Sequence, residues 1–452
     1  MTPAQLRTDA RAIWDAGVAA ANPDRLIGDA LRVEGDHLVI GQSTLDLNGI
    51  GRIAVVGCGK AGAAMSHAVQ KALGEELMAA KDLIGWVNVP DDCVDTLTRI
   101  RLHGSRPAGQ NSPTEAGVRG TEEMLEILGA LGPDDLAICL ISGGGSALMP
   151  APTDDVGLAD KQAVTDLLSK NGATINELNT VRKHISKVKG GQLAAACRAG
   201  ALVSLIVSDV VGNPLDVIAS GPTAPDETTF ADAIRVFERL ELTDRAPASV
   251  LHRLRRGAAG ELPETPKTLP DSVSNLVIGD NALVVSAADA KARSLGYNVI
   301  NLGSHIEGET KDVAIVHAGL ARGIQSDGTP TAPPACILSG GETTVSHVAD
   351  GGKGGRNQEF ALAALCKLRH HGMDGMIFLS GGTDGEDGPT DAAGAFSDAE
   401  LLAAARDLRA DPENHLVTSR SYGFFDRTGG LIRTGPTHTN VMDLRVVLVL
   451  RG

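Results

Sequence analysis

The sequence predicts an α/β protein built from two domains. Its 452 residues exceed what one hydrophobic core usually organises. Short apolar runs that end in glycine or in polar residues alternate with segments of helical periodicity along the chain, a pattern typical of parallel sheets covered by helices. Three prolines and two glycines within residues 257–271 indicate a linker. We therefore predict a first domain over 1–256, a linker region over 257–274 and a second α/β domain over 275–452.

In the first half, apolar runs predict strands whose ends carry glycine or polar residues. Residues 53–56 run into a glycine-rich turn and an Ala-rich helix, and residues 136–141 lead into Ser142. Residues 202–207 end at Ser208 and Asp209. The same periodicities predict the other elements of this half: an amphipathic helix over 1–21, strands over 83–89 and 99–103, and helices over 114–131, 160–198, 231–240 and 248–256.

The second half continues the alternation of strands and helices. Because the pattern does not change, we expect its sheet to be largely parallel as well. Strands are predicted over 276–278, 298–302, 335–338, 376–379 and 443–450, and helices over 282–295, 310–324 and 357–369.

Composition limits the classes of partner and compartment. The formal net charge of −15 argues against nucleic acid or an anionic membrane as a general partner, so an anionic substrate would need a locally basic pocket. The six cysteines form no CxxC pair, which fits a reducing compartment and predicts no zinc site. No apolar stretch reaches about 18 residues, and the N-terminus is not a signal peptide. We expect a cytoplasmic protein without a membrane span.

Three loops share an apolar run followed by Ser-Gly-Gly, at Ser142, Ser339 and Ser380. In open α/β sheets ligands bind where strands end, and the N–H groups of small residues there can hold phosphate or carboxylate oxygens. For any one of these loops taken alone, a structural tight turn is the commoner cause. The repetition favours an anion site, and its first candidates are Ser142, Gly143, Gly144, Gly145 and Ser146.

The loop that follows residues 376–379 is strongly acidic, with Asp384, Glu386, Asp387 and Asp391 close together. Crowded carboxylates repel one another unless a cation or a donor-rich ligand joins them. The pattern therefore suggests metal-assisted chemistry on an anion, and a solvated acidic turn is the alternative.

Gly57-x-Gly59-x-x-Gly62 follows a predicted strand and opens a helix, as in the dinucleotide-binding fingerprint of Rossmann-like domains. The acidic residue expected about 20 positions later is not clearly placed. Lys60 departs from the fingerprint, because a lysine at a helix start opposes the helix dipole unless it meets an anion. A lysine that reaches solvent is the alternative. We predict a Rossmann-like first domain with Lys60 as an anion-binding candidate.

A glycine-rich loop over 351–356 places Lys353 and Arg356 at the start of another predicted helix. The helix dipole and the cations can act together on a bound anion there. Arg356 is the better candidate, because a guanidinium offers a bidentate fork to phosphate. A mobile hairpin with solvated charges is the alternative.

The stretch 179–190 is dense in basic residues for so acidic a chain. We interpret Lys183 and Lys189 as parts of a solvated helix face, whereas Arg182 and Lys187 are candidates to line an anion pocket. No P-loop motif GxxxxGK[ST] occurs, so the chain is not a P-loop NTPase.

Long motifs over nearly the whole chain resemble the glycerate 2-kinases. The motifs over 57–61, 141–148, 178–193 and 208–223 resemble the N-terminal domain of that family, and those over 339–344, 354–360, 380–394 and 435–444 resemble its C-terminal MOFRL domain. The resemblance implies ATP-dependent phosphorylation of D-glycerate at the 2-hydroxyl, giving 2-phosphoglycerate. It also implies a divalent cation, usually Mg²⁺, and a cleft between two α/β domains.

Carried over by motif, Lys60 of GCGKAG, Arg356 of GGRNQE and Asp384 of SGGTDG are the expected catalytic groups. Lys60 and Arg356, from opposite domains, are expected to neutralise charge on the transferred phosphoryl group and on the acceptor. Asp384 is expected to bind Mg²⁺ or to accept the proton of the 2-hydroxyl. Further substrate or phosphate contacts are expected from the Ser142–Ser146 loop, Asp209, Glu342, Gly354 and Gly355, with Asp209 also a metal candidate.

Two other interpretations remain open. One is an NAD(P)H-dependent hydroxypyruvate reductase, a label that members of the same family carry, based here on the Gly57 fingerprint. It lacks an evident His–carboxylate pair for hydride transfer. The other is a non-catalytic nucleotide-binding regulator. The expected partners are the small molecules ATP and D-glycerate, and the oligomeric state is left open, with a homodimer as one possibility.

Overall fold

In the computed structural model, which describes residues 2–107, 110, 112–346 and 351–451, the chain divides into two compact units. One is Pro23–Ile278, which we call the parallel-sheet unit. The other combines Met1–Asn22 with Gly279–Gly452, and we call it the mixed-sheet unit. The units differ from the predicted domains in two respects: residues 257–278, predicted as the linker region and the start of the second domain, lie inside the parallel-sheet unit, and the N-terminal helix belongs with the C-terminal half.

Helix α1 (Pro3–Ala20) joins the mixed-sheet unit through close packing. Trp14 is buried, and its indole N–H donates to the carbonyl oxygen of Gly381 at 3.3 Å. Gly17 permits the approach, since a Cβ there would lie 2.7 Å from Cδ2 of Leu444. The amphipathic pattern predicted this helix correctly, but a pattern of apolar positions does not name the surface against which they pack.

The parallel-sheet unit alternates strands and helices after an opening helix. Its strands are β1 (Leu31–Glu34), β2 (His37–Ile40), β3 (Ser43–Asp46), β4 (Ile53–Cys58), β5 (Ile84–Pro90), β6 (Ile100–Arg106), β7 (Leu136–Ile141), β8 (Ala201–Val207) and β9 (Val273–Gly279). Its helices are α2 (Pro23–Ala30), α3 (Gly62–Ala80), α4 (Glu115–Gly129), α5 (Gly145–Leu148), α6 (Leu158–Lys170), α7 (Ile175–His184), α8 (Gln192–Ala196), α9 (Phe230–Arg239) and α10 (Ala248–Ala258).

Six of these strands form one sheet in the order β6-β5-β4-β7-β8-β9, and the pairs from β6 through β8 are parallel. Strands β4 and β7 are buried along their whole length, which explains their unbroken apolar sequences. Because the strands are parallel, the loops after β4, β7 and β8 leave from the same edge. The antiparallel meander β1-β2-β3 was not predicted.

The mixed-sheet unit contains a second six-stranded sheet. Its strands are β10 (Asn298–Asn301), β11 (Ala335–Gly341), β12 (Met376–Gly382), β13 (Gly394–Asp398), β14 (Leu431–Ile432) and β15 (Asp443–Val449). Its helices after α1 are α11 (Asn281–Ser294), α12 (Thr310–Asp327), α13 (Arg356–Leu368), α14 (Ala399–Asp407), α15 (Pro412–Val417) and α16 (Ser421–Thr428).

The expectation of a largely parallel sheet is wrong for this unit. The strand order is β10-β11-β15-β12-β13-β14, and only β10 and β11 pair in parallel. The closing strand β15 lies between β11 and β12 and runs antiparallel to both. A strand that returns through a loop, without a crossover helix, can enter a sheet in this direction. As a result, the first residue of β15 lies at the edge where β11 and β12 end.

In the part of the chain that the structure describes, none of the helices has the length and apolar composition needed to span a membrane.

Candidate active site

The glycine-rich turn between β4 and α3 is shaped by its neighbour, the loop after β7. A Cβ on Gly57 would lie 2.2 Å from the carbonyl oxygen of Leu140. Gly59 has a φ of +139°, and a Cβ on it would lie 2.0 Å from Oγ of Ser142. Both positions therefore need glycine so that two strand-end loops can lie against each other.

The N–H groups of this turn are already used within the protein. Gly59 donates to the carbonyl oxygen of Asn88 at 3.2 Å, Lys60 to that of Gly143 at 2.8 Å, and Ala61 to Oγ of Ser142 at 3.0 Å. A dinucleotide fingerprint works by offering such N–H groups to a pyrophosphate. An interaction of this turn with an anion would therefore involve the side chain of Lys60 and not these N–H groups.

The Ser142–Ser146 loop stands beside Lys60. A Cβ on Gly144 would lie 3.7 Å from Cγ of Lys60 and 3.3 Å from a guanidinium nitrogen of Arg106. Gly144 has a φ of +78°, the left-handed conformation that glycine favours. Within the described residues, the N–H groups of Gly143, Gly144 and Ser146 donate to no other group. This arrangement is compatible with the predicted role of the loop as a source of backbone donors.

The basic stretch 179–190 separates into surface and buried positions. Lys183 is buried, and its Nζ lies 3.1 Å from Asp226 and 3.2 Å from Asp216. Lys187 pairs with the exposed Asp154 instead of lining a pocket. The interpretation of Lys183 as a solvated cation is therefore wrong.

Lys189 was also interpreted as solvated, and this too is wrong, since it is fully buried. Its Nζ donates to Oγ of Ser146 at 2.9 Å, to the carbonyl oxygen of Ser146 at 3.0 Å and to that of Ala219 at 3.3 Å. The loop after β7 thus has a buried lysine amino group beneath it. Asp209, directly after β8, is half-buried, and its predicted metal or phosphate contact stays a prediction.

In the mixed-sheet unit, the register of the sheet brings two Ser-Gly-Gly strand ends to one residue. Gly341 at the end of β11 and Gly382 at the end of β12 both stand opposite Asp443, the first residue of β15. Ser339 and Ser380 likewise both stand opposite Arg445. The antiparallel insertion of β15 therefore adds a further carboxylate to the edge after which the sequence predicted Glu342 and Asp384.

Arg356, the first residue of α13, is held by two carboxylates at this edge. Its Nε donates to Oδ2 of Asp443 and its Nη1 to Oε1 of Glu342, each at 2.7 Å. Burial lowers the pKa of the guanidinium, but the charges of Asp443 and Glu342 outweigh this and raise the pKa above its usual value. Arg356 is therefore a permanent cation in a fixed orientation.

Asp443 organises several partners besides Arg356. It is fully buried, and it accepts from Nδ2 of Asn357 at 2.9 Å and from Nη2 of Arg445 at 3.3 Å. Oγ of Ser380 donates to Oδ1 of Asn357 at 2.5 Å. The network links the end of β12, the start of β15 and the start of α13, so the guanidinium of Arg356 cannot shift without breaking these bonds.

The start of α13 already holds a carboxylate. Asp387 accepts from the N–H groups of Asn357 at 3.0 Å and Gln358 at 2.8 Å. A Cβ on Gly355 would lie 2.3 Å from Cγ of Asp387, and one on Gly354 would lie 2.1 Å from Oγ of Ser421. These contacts explain both glycines by close packing, and their predicted contact with a phosphate stays a prediction.

The other cation of the glycine-rich loop lies elsewhere. Nζ of Lys353 is 4.6 Å from the centroid of the Tyr422 ring, a cation–π contact at the surface. The preference for Arg356 over Lys353 therefore agrees with the contacts of the two side chains.

Asp384 lies half-buried after β12, and its Oδ1 accepts from the N–H of Glu386 at 3.1 Å. Burial raises the pKa of the Glu342 carboxyl, the charge of Arg356 opposes this, and the charges of Asp443 and Asp384 add to it. Asp384 and Glu342 are thus close enough to influence each other. Their mutual repulsion favours a cation between them.

Sequence reasoning missed Asp443 and Asn357 as site residues. Asp443 was overlooked because only the ends of apolar runs were searched, and this carboxylate precedes its run. Asn357 has a weaker signal, a polar residue next to Arg356 in a helix whose later positions are apolar. Searching both ends of each predicted strand would have found Asp443.

Comparisons with known proteins agree with the resemblance that the motifs carry. A family model described as a domain of unknown function, DUF4147, matches residues 9–255, and the MOFRL family model matches residues 335–443. A Pyrococcus horikoshii protein named glycerate 2-kinase is 38% identical over 432 residues, 96% of this chain and 94% of that protein. A Thermotoga maritima crystal structure described as glycerate kinase aligns with 99% of this chain and 100% of its own, at 34% identity and a TM-score of 0.85.

A third relative carries a different name. An Agrobacterium vitis protein named putative hydroxypyruvate reductase is 40% identical over 441 residues, which cover 97% of this chain and 96% of that protein. Identity alone therefore does not separate the two names, and the chemistry of the site has to do so.

Proposed function

The chain belongs to the glycerate 2-kinase family, and we propose that it transfers the γ-phosphoryl group of ATP to the 2-hydroxyl of D-glycerate, giving 2-phosphoglycerate and ADP. The observation that carries the proposal is Arg356, a cation fixed by Asp443 and Glu342 at the edge where β11 and β12 end. Phosphoryl transfer depends on alignment and on neutralising charge more than on covalent chemistry. A rigid guanidinium at a strand-end site is suited to both tasks.

Arg356 contributes the neutralising charge from the mixed-sheet unit. Its Nε and Nη1 are engaged by carboxylates, and no hydrogen bond from its third nitrogen, Nη2, is found among the described residues. That nitrogen can donate to an oxygen of the transferred phosphoryl group. The carboxylates that hold the guanidinium prevent it from following the substrate, so the geometry is set before the reaction begins.

Lys60 supplies the corresponding charge from the parallel-sheet unit. With the N–H groups of its turn engaged, the side chain is the part of the turn able to meet an anion. The predicted location of the reaction in an interdomain cleft, reached by both Lys60 and Arg356, remains part of this proposal.

Mg²⁺ usually binds through one or two carboxylates together with phosphate oxygens, not in a cage made by protein alone. The described residues contain no group of three His, Cys, Asp or Glu side chains placed to hold a metal. Asp384 beside Glu342 fits a site that phosphate oxygens complete, so we propose Asp384 as its ligand, with Asp209 as a second candidate. When bound, the cation would neutralise phosphate charge. The alternative role of Asp384 is to accept the proton of the 2-hydroxyl group.

The reductase alternative is disfavoured by the turn after β4. Hydride transfer from a nicotinamide dinucleotide would need this turn to bind a pyrophosphate, but its N–H groups donate to Asn88, Gly143 and Ser142. The non-catalytic regulator gains no specific support from these contacts, since an Arg356 held at a strand-end site is suited to catalysis.

Two assays test the proposal. ADP formation that depends on D-glycerate and Mg²⁺ is expected, whereas NADH consumption with hydroxypyruvate is not. K60A is expected to lose turnover, and K71A is its control, because Lys71 lies on α3, the helix that follows Lys60, and pairs with Asp24 at the surface. NADH oxidation without ATP, or near-normal turnover by a folded K60A, would contradict the assignment.

A further inference from the structure

Three basic side chains of the parallel-sheet unit come together without a carboxylate partner. They are Lys161 on α6, Arg182 on α7 and Lys189 before α8, and we call them the basic triad. Lys161 and Lys189 are buried and Arg182 is half-buried. Across the described parts of the chain, none of the three forms an ion pair, although Lys183 and Lys187 in the same stretch each pair with aspartate.

The side chains of the triad are close enough to repel one another. Burial lowers the pKa of Lys189 well below its usual value, and the charges of Lys161 and Arg182 lower it further. Burial and the charge of Arg182 lower the pKa of Lys161 to about 7. Burying like charges together is unfavourable unless an anion joins them. Lys183 and Lys187 of the same unit are paired with aspartates. The lack of an aspartate beside the basic triad, among the described residues, therefore needs a physical reason.

A chain of hydrogen bonds ties the triad to the loop after β7. Nζ of Lys189 donates to Oγ of Ser146, which lies 3.0 Å from Oγ of Ser220. Ser220 in turn donates to Oδ1 of Asn179 at 3.0 Å. Asn179 precedes Arg182 by three residues on α7, so both project from the same face of that helix. The triad therefore adjoins the Ser142–Ser146 loop and its unused N–H groups.

The backbone beside this chain is also unusual. Ala219 and Ser220 have φ values of +51° and +63°, which non-glycine residues rarely adopt. Such conformations persist where the surrounding structure holds them, and they concentrate at ligand sites. Here the strain places the carbonyl oxygen of Ala219 against Nζ of Lys189 and Oγ of Ser220 between Ser146 and Asn179.

We propose that Lys161, Arg182 and Lys189, with the N–H groups of Gly143, Gly144 and Ser146, form a subsite for the polyphosphate of the nucleotide. The charge balance favours phosphate over the carboxylate of the acceptor. A carboxylate carries one negative charge, whereas three cations without acidic partners suit a group that carries several. The inference rests on the proposed function for the identity of the nucleotide, and the basic triad itself stands on the contacts described above.

Binding measurements test the subsite independently of turnover. Titration calorimetry with ATP, inorganic pyrophosphate and D-glycerate is applied to wild type and to K161M, R182M and K189M. Each variant is expected to bind ATP and pyrophosphate about 10- to 100-fold more weakly, the loss of one charged hydrogen bond, with D-glycerate affinity unchanged. K187M, which removes a paired cation from the same stretch, is expected to match wild type.

Thermal melting separates this role from a structural one. Because Lys161 lacks a partner, K161M is expected to melt at or above the wild-type temperature without ligand, and to lose the rise in melting temperature that pyrophosphate gives to wild type. If K189M does not fold, R182M decides, since Arg182 is half-buried and bonded to no other described side chain. ATP affinity within twofold of wild type in R182M and K161M would overturn the proposal.

The outcomes also separate this proposal from the proposed function. Wild type that binds ATP through the triad but does not phosphorylate D-glycerate would refute the function and leave the subsite standing. Variants that bind ATP normally but D-glycerate poorly would assign the triad to the acceptor and refute the subsite as proposed.

Discussion

The two units handle positive charge in opposite ways. In the mixed-sheet unit, Arg356 lies between Asp443 and Glu342, with Asp384 close by, so one cation is surrounded by carboxylates. In the parallel-sheet unit, Lys189 is buried among a serine hydroxyl and carbonyl oxygens, and Lys161 and Arg182 add further unpaired charge. One site carries excess negative charge and the other excess positive charge.

Without a ligand, the two sites therefore differ in how far their charges are compensated. The mixed-sheet site satisfies its own cation, so its geometry is fixed in advance. The basic triad has no carboxylate partner among the described residues. In the proposed function, Mg²⁺ would join the carboxylates of the first site and the polyphosphate would join the second.

The largest effect is expected where the fixed cation is removed. R356A should lower kcat/KM by about 10³- to 10⁵-fold, the range for an arginine that stabilises the transition state of phosphoryl transfer, and R356K should recover little because it lacks the planar fork. Steady-state kinetics with ATP and D-glycerate measure both. K353A is the matched control, since Lys353 lies over Tyr422 in the same loop. A decrease of less than tenfold in R356A would contradict the role of Arg356.

Lys161 should make the parallel-sheet unit more stable at alkaline pH. Burial and the charge of Arg182 lower its pKa in the folded protein to about 7, from an ordinary value of 10.5. Between these values the unfolded chain binds the extra proton, so the free energy of unfolding rises with pH, by about 4 to 5 kcal/mol in total. K161M should remove this slope. Trp86, on β5, reports on this unit during urea denaturation when the other tryptophan is replaced in W14F.

A wild-type stability that stays level between pH 7.5 and 9.5 would show that Lys161 is paired in solution. The same slope in K161M would assign it to another group.

His317 should act in the mixed-sheet unit and in a lower pH window. Its imidazole contacts the carbonyl oxygen of Val313 at 2.8 Å and Oγ of Ser339 at 2.9 Å. Burial lowers the pKa of His317 from 6.5 to about 4. The hydrogen bond to the Val313 carbonyl oxygen opposes this lowering, and the charge of Arg445 adds a smaller lowering. The unfolded chain therefore binds more protons between pH 4 and 6.5, and stability falls by about 3 kcal/mol as the pH falls through that window.

Trp14 in the W86F variant reports on this unit, and H317Q is expected to flatten the acid limb of its stability. If the stability reported by Trp86, and not that reported by Trp14, falls between pH 6.5 and 4, the assignment to the mixed-sheet unit is contradicted.

The smallest effects are expected at Ser142 and Ser339, which begin a Ser-Gly-Gly motif in the parallel-sheet unit and in the mixed-sheet unit, respectively. S142A leaves the N–H of Ala61 without its buried acceptor. S339A removes the hydroxyl that donates to Nε2 of His317, whose Nδ1–H donates to the Val313 carbonyl oxygen, so each variant should cost about 1 to 2 kcal/mol in its own unit. Urea denaturation of W14F and W86F backgrounds measures the two separately. Equal losses at both tryptophans for either variant would show that the units do not respond independently.

Much of the fold was predictable because local patterns decide it. Residues 136–141 were predicted as a strand and form β7, since a buried parallel strand has an unbroken apolar sequence bounded by glycine. The place of β15 was not predictable in this way. Nothing local in its sequence indicates that it enters between β11 and β12 in the opposite direction.

The site residues likewise divide into those predicted from local sequence and those whose role depends on tertiary structure. Arg356 was singled out because glycines and a helix start surround it, and both are local features. Asp443 was missed because its role depends on the direction of β15. Lys161 was missed for another reason: it occupies the apolar stripe of α6 with Val164 and Leu168, where one lysine among apolar residues gives no signal of what faces it. The proximity of Lys161 to Arg182 and Lys189 depends on how the helices pack, which the local sequence does not indicate.

The attachment of α1 to the mixed-sheet unit has a consequence for how the chain is made. The parallel-sheet unit is one continuous segment, Pro23–Ile278, so it can complete its fold on the ribosome before the rest is synthesised. The mixed-sheet unit has to wait, because Gly17 packs against Leu444 and Trp14 bonds to Gly381, residues that are synthesised after the parallel-sheet unit. Helix α1 is thus synthesised before the parallel-sheet unit and docks after it, and a deletion within α1 would disturb the unit that holds Arg356.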